Sequence, residues 1–336
     1  MGSISFCVSL AHNLIDHEQS PIQNKVPMKC YNYLREHLSL TTEVPVWSLI
    51  SVNYNDEYVI ASGQINGEIK IWSIKSQTCI ETLVGHEYCV RALVSVNFNN
   101  ENVIISGSAD DTIKVWSLTK SVCLFTLNNH TSSVNSLITV MLNNENVVIS
   151  GSSDSTIKVW SLTDKKCLFT LNGHLDSVNS LISVIFNNEN VLVSASNDKK
   201  IKVWSLKSKA CLFVLNGHSD FVWSLVSVML KNEVVIVSGS YKEIKVWSIN
   251  TQKCLFTLDG HTDDIRSLSS LILNNENVIV SGCFDKTIKI WSLKDRYCLF
   301  TLAGHSFGIW SLFSMTLDNE TVIVSGSQDE SIKIWK

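Results

Sequence analysis

The chain has few prolines, 3 in 336 residues, and only 17% of its residues are charged. With 45% of them apolar it can bury a large core and reads as globular throughout, in one or two domains. It has no basic excess. Its 27 Lys and Arg face 31 Asp and Glu for a net charge of −4, which lacks the clustered positive charge that captures nucleic acid or an anionic membrane. We expect neither as a partner. No apolar run approaches the roughly 20 residues that span a bilayer. The mildly apolar stretch Ile4 to Ile15 has no Lys or Arg before it and is broken by Ser9, His12 and Asn13, so it makes a poor secretory signal. Met1-Gly2 invites N-myristoylation, but Phe6 stands where that signal places Ser or Thr.

What the chain does have is repetition. The same pattern recurs at Trp72, Trp116, Trp160, Trp204, Trp247, Trp291 and Trp335, at spacings of 44, 44, 44, 43, 44 and 44 residues. Around Trp160 it reads Ile157-Lys158-Val159-Trp160-Ser161-Leu162, then Cys167 to Asn172, then Gly173-His174. In repeat four, Ser177 to Phe186 and Asn190 to Ser196 are β-rich runs separated by Asn187-Asn188-Glu189, a hairpin signature. Lys200 to Leu206 and Ala210 to Leu215 add a third and a fourth strand. A four-stranded antiparallel sheet exposes two apolar faces. Stacking seven of them around an axis buries those faces and closes the ring, which predicts an all-β, seven-bladed β-propeller.

The period, the Gly-His before one strand and the Trp ending another resemble the WD40-repeat family over residues 41 to 336. Gly-His stands at Gly85-His86, Gly173-His174, Gly217-His218, Gly260-His261 and Gly304-His305, with Asn129-His130 as a variant. The family's usual Asp after the Trp is replaced by Ser73, Ser117, Ser161, Ser205, Ser248 and Ser292, with Lys336 in the last repeat. The resemblance implies that each repeat His lies between a turn Asp, a strand Ser and the Trp indole. The matching residues are Asp110, Asp154, Asp198, Asp285 and Asp329 with Ser106, Ser150, Ser194, Ser281 and Ser325. Five copies of a Ser-His-Asp constellation argue for architecture rather than for a hydrolytic triad. Repeat one has Thr42 and Asn66 in place of His and Asp, and the shortened repeat five has no matching Asp, so these two blades should be the weaker ones.

The repeated cysteines Cys79, Cys123, Cys167, Cys211, Cys254 and Cys298 belong to different repeats, fit no metal-ligand spacing, and read as free thiols of a reducing compartment, the cytoplasm or the nucleus. The nonrepeating His12, His17 and His37 form no ligand spacing either, so no metal, cofactor or enzymatic site is expected. A sevenfold lysine set, Lys70, Lys114, Lys158, Lys202, Lys245, Lys289 and Lys333, reads as stems packed along each blade with the ammonium reaching water.

Function should sit where the repeats differ. The fifth residue after the repeat His is Trp47, Arg91, Asn135, Asn179, Trp223, Arg266 and Trp310 around the ring, and it begins the innermost strand. By the resemblance this position faces ligand at the top of the channel. A second such position, before the turn Asp, contributes Phe284 and, in repeat five, Tyr241. A third, two residues before the first set, contributes Phe221 and Asp264. Trp47, Arg91, Phe221, Trp223, Tyr241, Arg266, Phe284 and Trp310 thus define an aromatic and cationic arc with hot-spot chemistry, while repeats three and four offer only small polar groups. The competing reading is that the tryptophans plug the channel.

These residues point to a non-enzymatic scaffold or adaptor that binds proteins or peptides, alone or within a multiprotein complex. The alternative is a substrate-recognition subunit of a ubiquitin ligase that takes an acidic or phosphorylated peptide on the arginines. Residues 1–40 show no F-box pattern and no sustained heptads. Because the last repeat ends at Lys336, this N-terminal segment is expected to supply the ring-closing strand, with Cys30 to Leu34 and Phe6 to Leu10 as candidates; Lys29 to Leu38 also tolerates helical spacing.

Overall fold

The computed structural model describes residues 35–55 and 57–336, and all regular structure among them is β-strand. Blade four shows how the sequence folds locally. Val178–Phe186 and Glu189–Ser196 are joined by Asn187 and Asn188, whose φ values of 50° and 60° give the paired left-handed conformation of a tight hairpin turn. Asparagine tolerates that conformation better than most residues because its short polar side chain bonds locally. Ile201–Ser205 and Ala210–Leu215 complete an antiparallel four-stranded sheet. Successive side chains point to opposite faces: Val191, Val193 and Ala195 pack with Trp247 of blade five, whereas Leu192 packs into the core of blade three. Because both faces are covered by neighbours, Val191, Leu192 and Val193 are apolar in succession rather than at alternate positions.

Seven such blades follow one another, and their inner strands touch in sequence until Val46–Tyr54 of blade one meets Ile309–Leu317 of blade seven. One core cluster crosses this seam, joining Val322, Val324 and Ile332 to Val46, Ile60 and Trp72. The outer strand of blade seven is Glu36–Thr41, antiparallel to Ser331–Trp335. Cys30 to Leu34 and Phe6 to Leu10 lie outside the described residues. The helical reading of Lys29 to Leu38 fails for Glu36 to Leu38, which are strand: Leu38 and Leu40 face the seam core while Glu36 reaches the Lys333 ammonium at 2.8 Å. Blades five and six share one long strand, Lys253–Leu273, whose first half is the outer strand of one and whose second half is the inner strand of the other.

The hydrogen-bonded chain inside the blades is complete in blades two, three, four, six and seven. The Trp indole donates to the Ser hydroxyl at 2.7–2.8 Å. That hydroxyl meets His Nε2 at 2.6–2.7 Å, and His Nδ1–H donates to the Asp carboxylate at 2.7–2.8 Å. Burial alone would raise the Asp pKa, but the bonds from His and from neighbouring groups outweigh it and hold all five carboxyls well below their usual range, Asp198 at about 2. Every serine of the set is fully buried, with its oxygen taken up by the indole and the imidazole, so no substrate reaches it.

The expectation that blade five lacks this chain is wrong. Glu243 Oε1 accepts from His218 Nδ1 at 2.7 Å, and Ser238 links His218 to Trp247 at 2.6 and 2.8 Å. With one turn residue deleted, Glu243 occupies the register position of Thr112 in blade two, whose hydroxyl lies 3.2 Å from its own histidine. The longer glutamate reaches from there. Blade one does lose the chain: Trp72 still donates to Ser62 at 2.8 Å, but Thr42 turns its hydroxyl to the Val44 carbonyl, and the buried Gln64 Oε1 has no partner.

Two further repeated sets are structural. Lys114, Lys158, Lys245 and Lys289 donate to a threonine of their own outer strand at 2.9–3.1 Å, so these ammonium groups stay within the blade. The serines after Trp160 and Trp204 donate to Glu145 and Glu189 at 2.6 Å and accept the N–H three residues on at 2.9–3.0 Å, which ties the turn between third and outer strands.

Candidate functional site

The loops that enter the inner strands and the turns between second and third strands lie at one end of the blades. There Trp47, Arg91, Trp223, Arg266 and Trp310 converge, with Asn135, Asn179, Ser153, Ser177 and Asn197, on a cavity of about 310 Å3 at the channel mouth. All five of these sequence-predicted residues are half-buried.

The arc is bound to itself. Trp47 and Trp310 stack with ring centroids 3.8 Å apart, and Phe284 meets Trp310 edge-on at 4.6 Å. The Arg266 guanidinium lies 3.4 Å from the Trp223 centroid, 4.4 Å from Phe284 and 5.0 Å from Trp310, and donates to Asp264 at 2.9 Å. Burial lowers its pKa while Asp264 opposes the shift. Arg91 sits 5.3 Å over Trp47, donates to the neutral Asn135 side chain at 2.9 Å and lies beside the buried Cys89 thiol. Arg91 Nε, Arg266 Nε and the Trp223 indole nitrogen are buried without a hydrogen-bond partner.

Phe221, Tyr241 and Phe284 do not line the cavity. Phe221 is exposed and packs edge-on against Trp223 at 5.7 Å; Phe284 lies behind Arg266 and Trp310. Tyr241 is exposed, with the Lys242 ammonium 4.6 Å from its ring, and its backbone pairs with Asp264. Sequence reasoning set aside the polar half of the mouth. Asn135 donates to Ser153 at 2.9 Å and to the Val178 carbonyl of the next blade at 3.1 Å; Asn179 does the same to Asn197 at 2.7 Å and Val222 at 3.0 Å. Ser177, which also lines the cavity, shares its repeat position with Phe221. That shared position is the signal the sequence carries, although Ser177 is small where Phe221 is large.

His261, Cys283 and Asp285 bring three metal-ligand atoms within 4.8 Å of one another. They belong to the blade six chain instead: His261 Nδ1 faces Asp285, its Nε2 meets Ser281, and Cys283 Sγ accepts the Asp285 N–H at 3.3 Å. Burial pushes the Cys283 thiol well up, away from the thiolate that a metal needs. Among the described residues no helix is long and apolar enough to cross a membrane.

A closed ring of four-stranded blades, each pinned by its own buried Trp and opening on a mouth where the blades differ, defines a β-propeller of the interaction-platform class. The WD domain, G-beta repeat family matches residues 77–117, 121–161, 165–205, 209–248, 252–292 and 296–336, and the chain belongs to that family. Its propellers generally serve as protein-interaction scaffolds rather than as enzymes. No curated protein matches the chain. Among solved structures it is similar to the crystal structure of the WD40 β-propeller domain of Doa1, at 24% identity and a TM-score of 0.74, covering 91% of this chain and 97% of that one. At that identity the likeness speaks to the fold alone. With 1680 chains of known structure matching, the fold is too widely shared to indicate a partner.

Proposed function

We propose that the protein is a non-enzymatic scaffold or adaptor whose channel mouth binds a peptide segment of another protein. The observation that carries this reading is the convergence of Trp47, Arg91, Trp223, Arg266 and Trp310 on one open cavity, beside three buried N–H groups that have no acceptor. The polar half of the mouth supplies amide and hydroxyl groups for a peptide backbone; the tryptophan half supplies the apolar surface typical of hot spots.

A substrate-recognition role on an acidic or phosphorylated peptide is supported by Arg91. Arg266 is neutralised by Asp264, whereas Arg91 has only neutral partners, so the next anion at the mouth belongs there. The described cysteines are all free thiols, which supports a reducing compartment, the cytoplasm or the nucleus.

An array of immobilised peptides, acidic, phosphorylated and neutral, tests the site against wild type, Trp47→Ala and Arg91→Ala. Loss of about tenfold or more in affinity for the bound peptides, with little change in melting temperature, supports the mouth as the binding site. If both variants keep every peptide and merely melt earlier, the arc is a channel plug and this reading fails.

A further inference from the structure

At the opposite end of the blades lies a second cavity, of about 530 Å3, between blades three and four. It is lined by Leu142 and Asn143 at the first hairpin of blade three, Leu168 and Phe169 on its outer strand, and Leu206, Lys207 and Lys209 at the last turn of blade four. Neighbouring blade interfaces show why it is open. Between blades two and three, Phe98 meets Phe125 edge-on at 6.2 Å; between blades four and five, Phe186 meets Phe213 in the same way at 5.9 Å. In the register of Phe98 and Phe186, blade three has Leu142, so Phe169 has no aromatic partner from its own blade.

The cations at this interface are also available. Blade five carries a leucine, Leu230, in the same register, and Arg296 of blade six lies 4.6 Å over Phe256 as Lys209 lies over Phe169, but there Lys294 is paired with Glu276 at 2.6 Å. In blade four the equivalent acid, Glu189, is held by Ser205 at 2.6 Å. Lys207 and Lys209 are exposed, and neither has an acidic partner among the described ion pairs; Lys209 lies 4.7 Å over Phe169. That last contact does not block an incoming ring, because Phe125 holds both Lys165 at 4.9 Å and the edge of Phe98.

We propose that this cavity is a docking site for a partner peptide that inserts one aromatic side chain against Phe169 and places flanking acidic residues on Lys207 and Lys209. The aromatic supplies the edge-to-face contact that the two neighbouring interfaces make internally, and the volume lies within the range of ordinary ligand pockets. Phe169 and the exposed Leu168 form the apolar wall; the two ammonium groups select an anionic flank. The site is independent of the channel mouth, at the other end of the strands.

The test is fluorescence anisotropy of the full chain with labelled pentapeptides: phenylalanine between paired glutamates, the same peptide with a central alanine, and the same with lysines for glutamates. Saturable binding of the first, weakened about tenfold by the central alanine and by the lysine flanks, is expected. Leu142→Phe rebuilds the packing of the adjacent interfaces and should abolish binding without lowering the melting temperature. Lys207→Glu/Lys209→Glu, confined to the surface, should weaken it about tenfold and reverse the sign of its salt dependence. Absence of saturable binding to the phenylalanine peptide, or equal binding by Leu142→Phe, overturns the proposal. Retained binding by Trp47→Ala separates this site from the mouth.

Discussion

Blades one and five both depart from the repeat, and their departures have opposite consequences. Blade five is one residue short and has no aspartate at the turn, yet Glu243 reaches His218 at 2.7 Å and the chain through Ser238 to Trp247 is intact. Blade one keeps its full length but has Thr42 for the histidine, and its Gln64 Oε1 is buried without a partner. The lesson is that a motif position matters through the atom it delivers. A carboxylate delivered from two positions further along serves as well, whereas a hydroxyl too short to span the gap does not.

The largest expected effect on this contrast is that of acid. Asp110, Asp154, Asp198, Asp285 and Asp329 have depressed pKa values in the folded state, so the unfolded chain, with carboxyls near about 4, takes up protons first. Their contribution is complete above that value and is lost as pH falls from about 4 toward 2. His261 is also depressed, because burial disfavours its charged form, so a smaller loss starts as pH falls below about 6.5. Blade one has Asn66 in place of the aspartate. Blade five has Glu243, whose carboxyl pKa burial would raise but whose bonds from His218 and Lys245 hold it below its usual range, so blade five loses the same kind of contribution in acid and blade one does not. Amide exchange at neutral pH should therefore show blade one opening before blade five, with the gap closing at pH 3. Equal protection of blades one and five at neutral pH would break the comparison.

Next in size is His218→Ala, which strands Glu243 with only Lys245, 3.0 Å away, and leaves the Ser238 hydroxyl short of its imidazole partner. We expect a loss of about 2–3 kcal/mol in urea unfolding. The smallest effect belongs to Thr42→Ala in blade one, where a single hydroxyl bond to Val44 is removed: about 1 kcal/mol or less. A larger loss there than in blade five would mean that blade one has an anchor other than the histidine chain.

Much of the fold was legible because it is written several times over. The strands of repeat four, read as Ser177 to Phe186, Asn190 to Ser196, Lys200 to Leu206 and Ala210 to Leu215, differ from the observed ones by only a residue or two at their ends. Periodicity cannot show compensation, so Glu243 was missed although it aligns with Thr112. At the mouth, Trp47, Arg91, Trp223, Arg266 and Trp310 share a repeat position and so share a location. Phe221, Tyr241 and Phe284 come from other positions and end up beside the cavity or behind it, because where a side chain points depends on what packs next to it.

By itself the sequence determined the blade: a period near 44 residues, a Trp, Ser and His at fixed offsets, and asparagines where the hairpins need positive φ. These are local requirements, and local chemistry reports them. Only the tertiary structure decided what lies between blades. Arg266 is enclosed by Trp223, Phe284 and Trp310 from three different blades, and Leu142 leaves Phe169 without an aromatic neighbour of its own blade beneath the Lys209 ammonium of blade four. The contacts of Arg266 with Trp223 and Trp310 join residues more than forty apart in the chain, and their geometry exists only once the ring has closed.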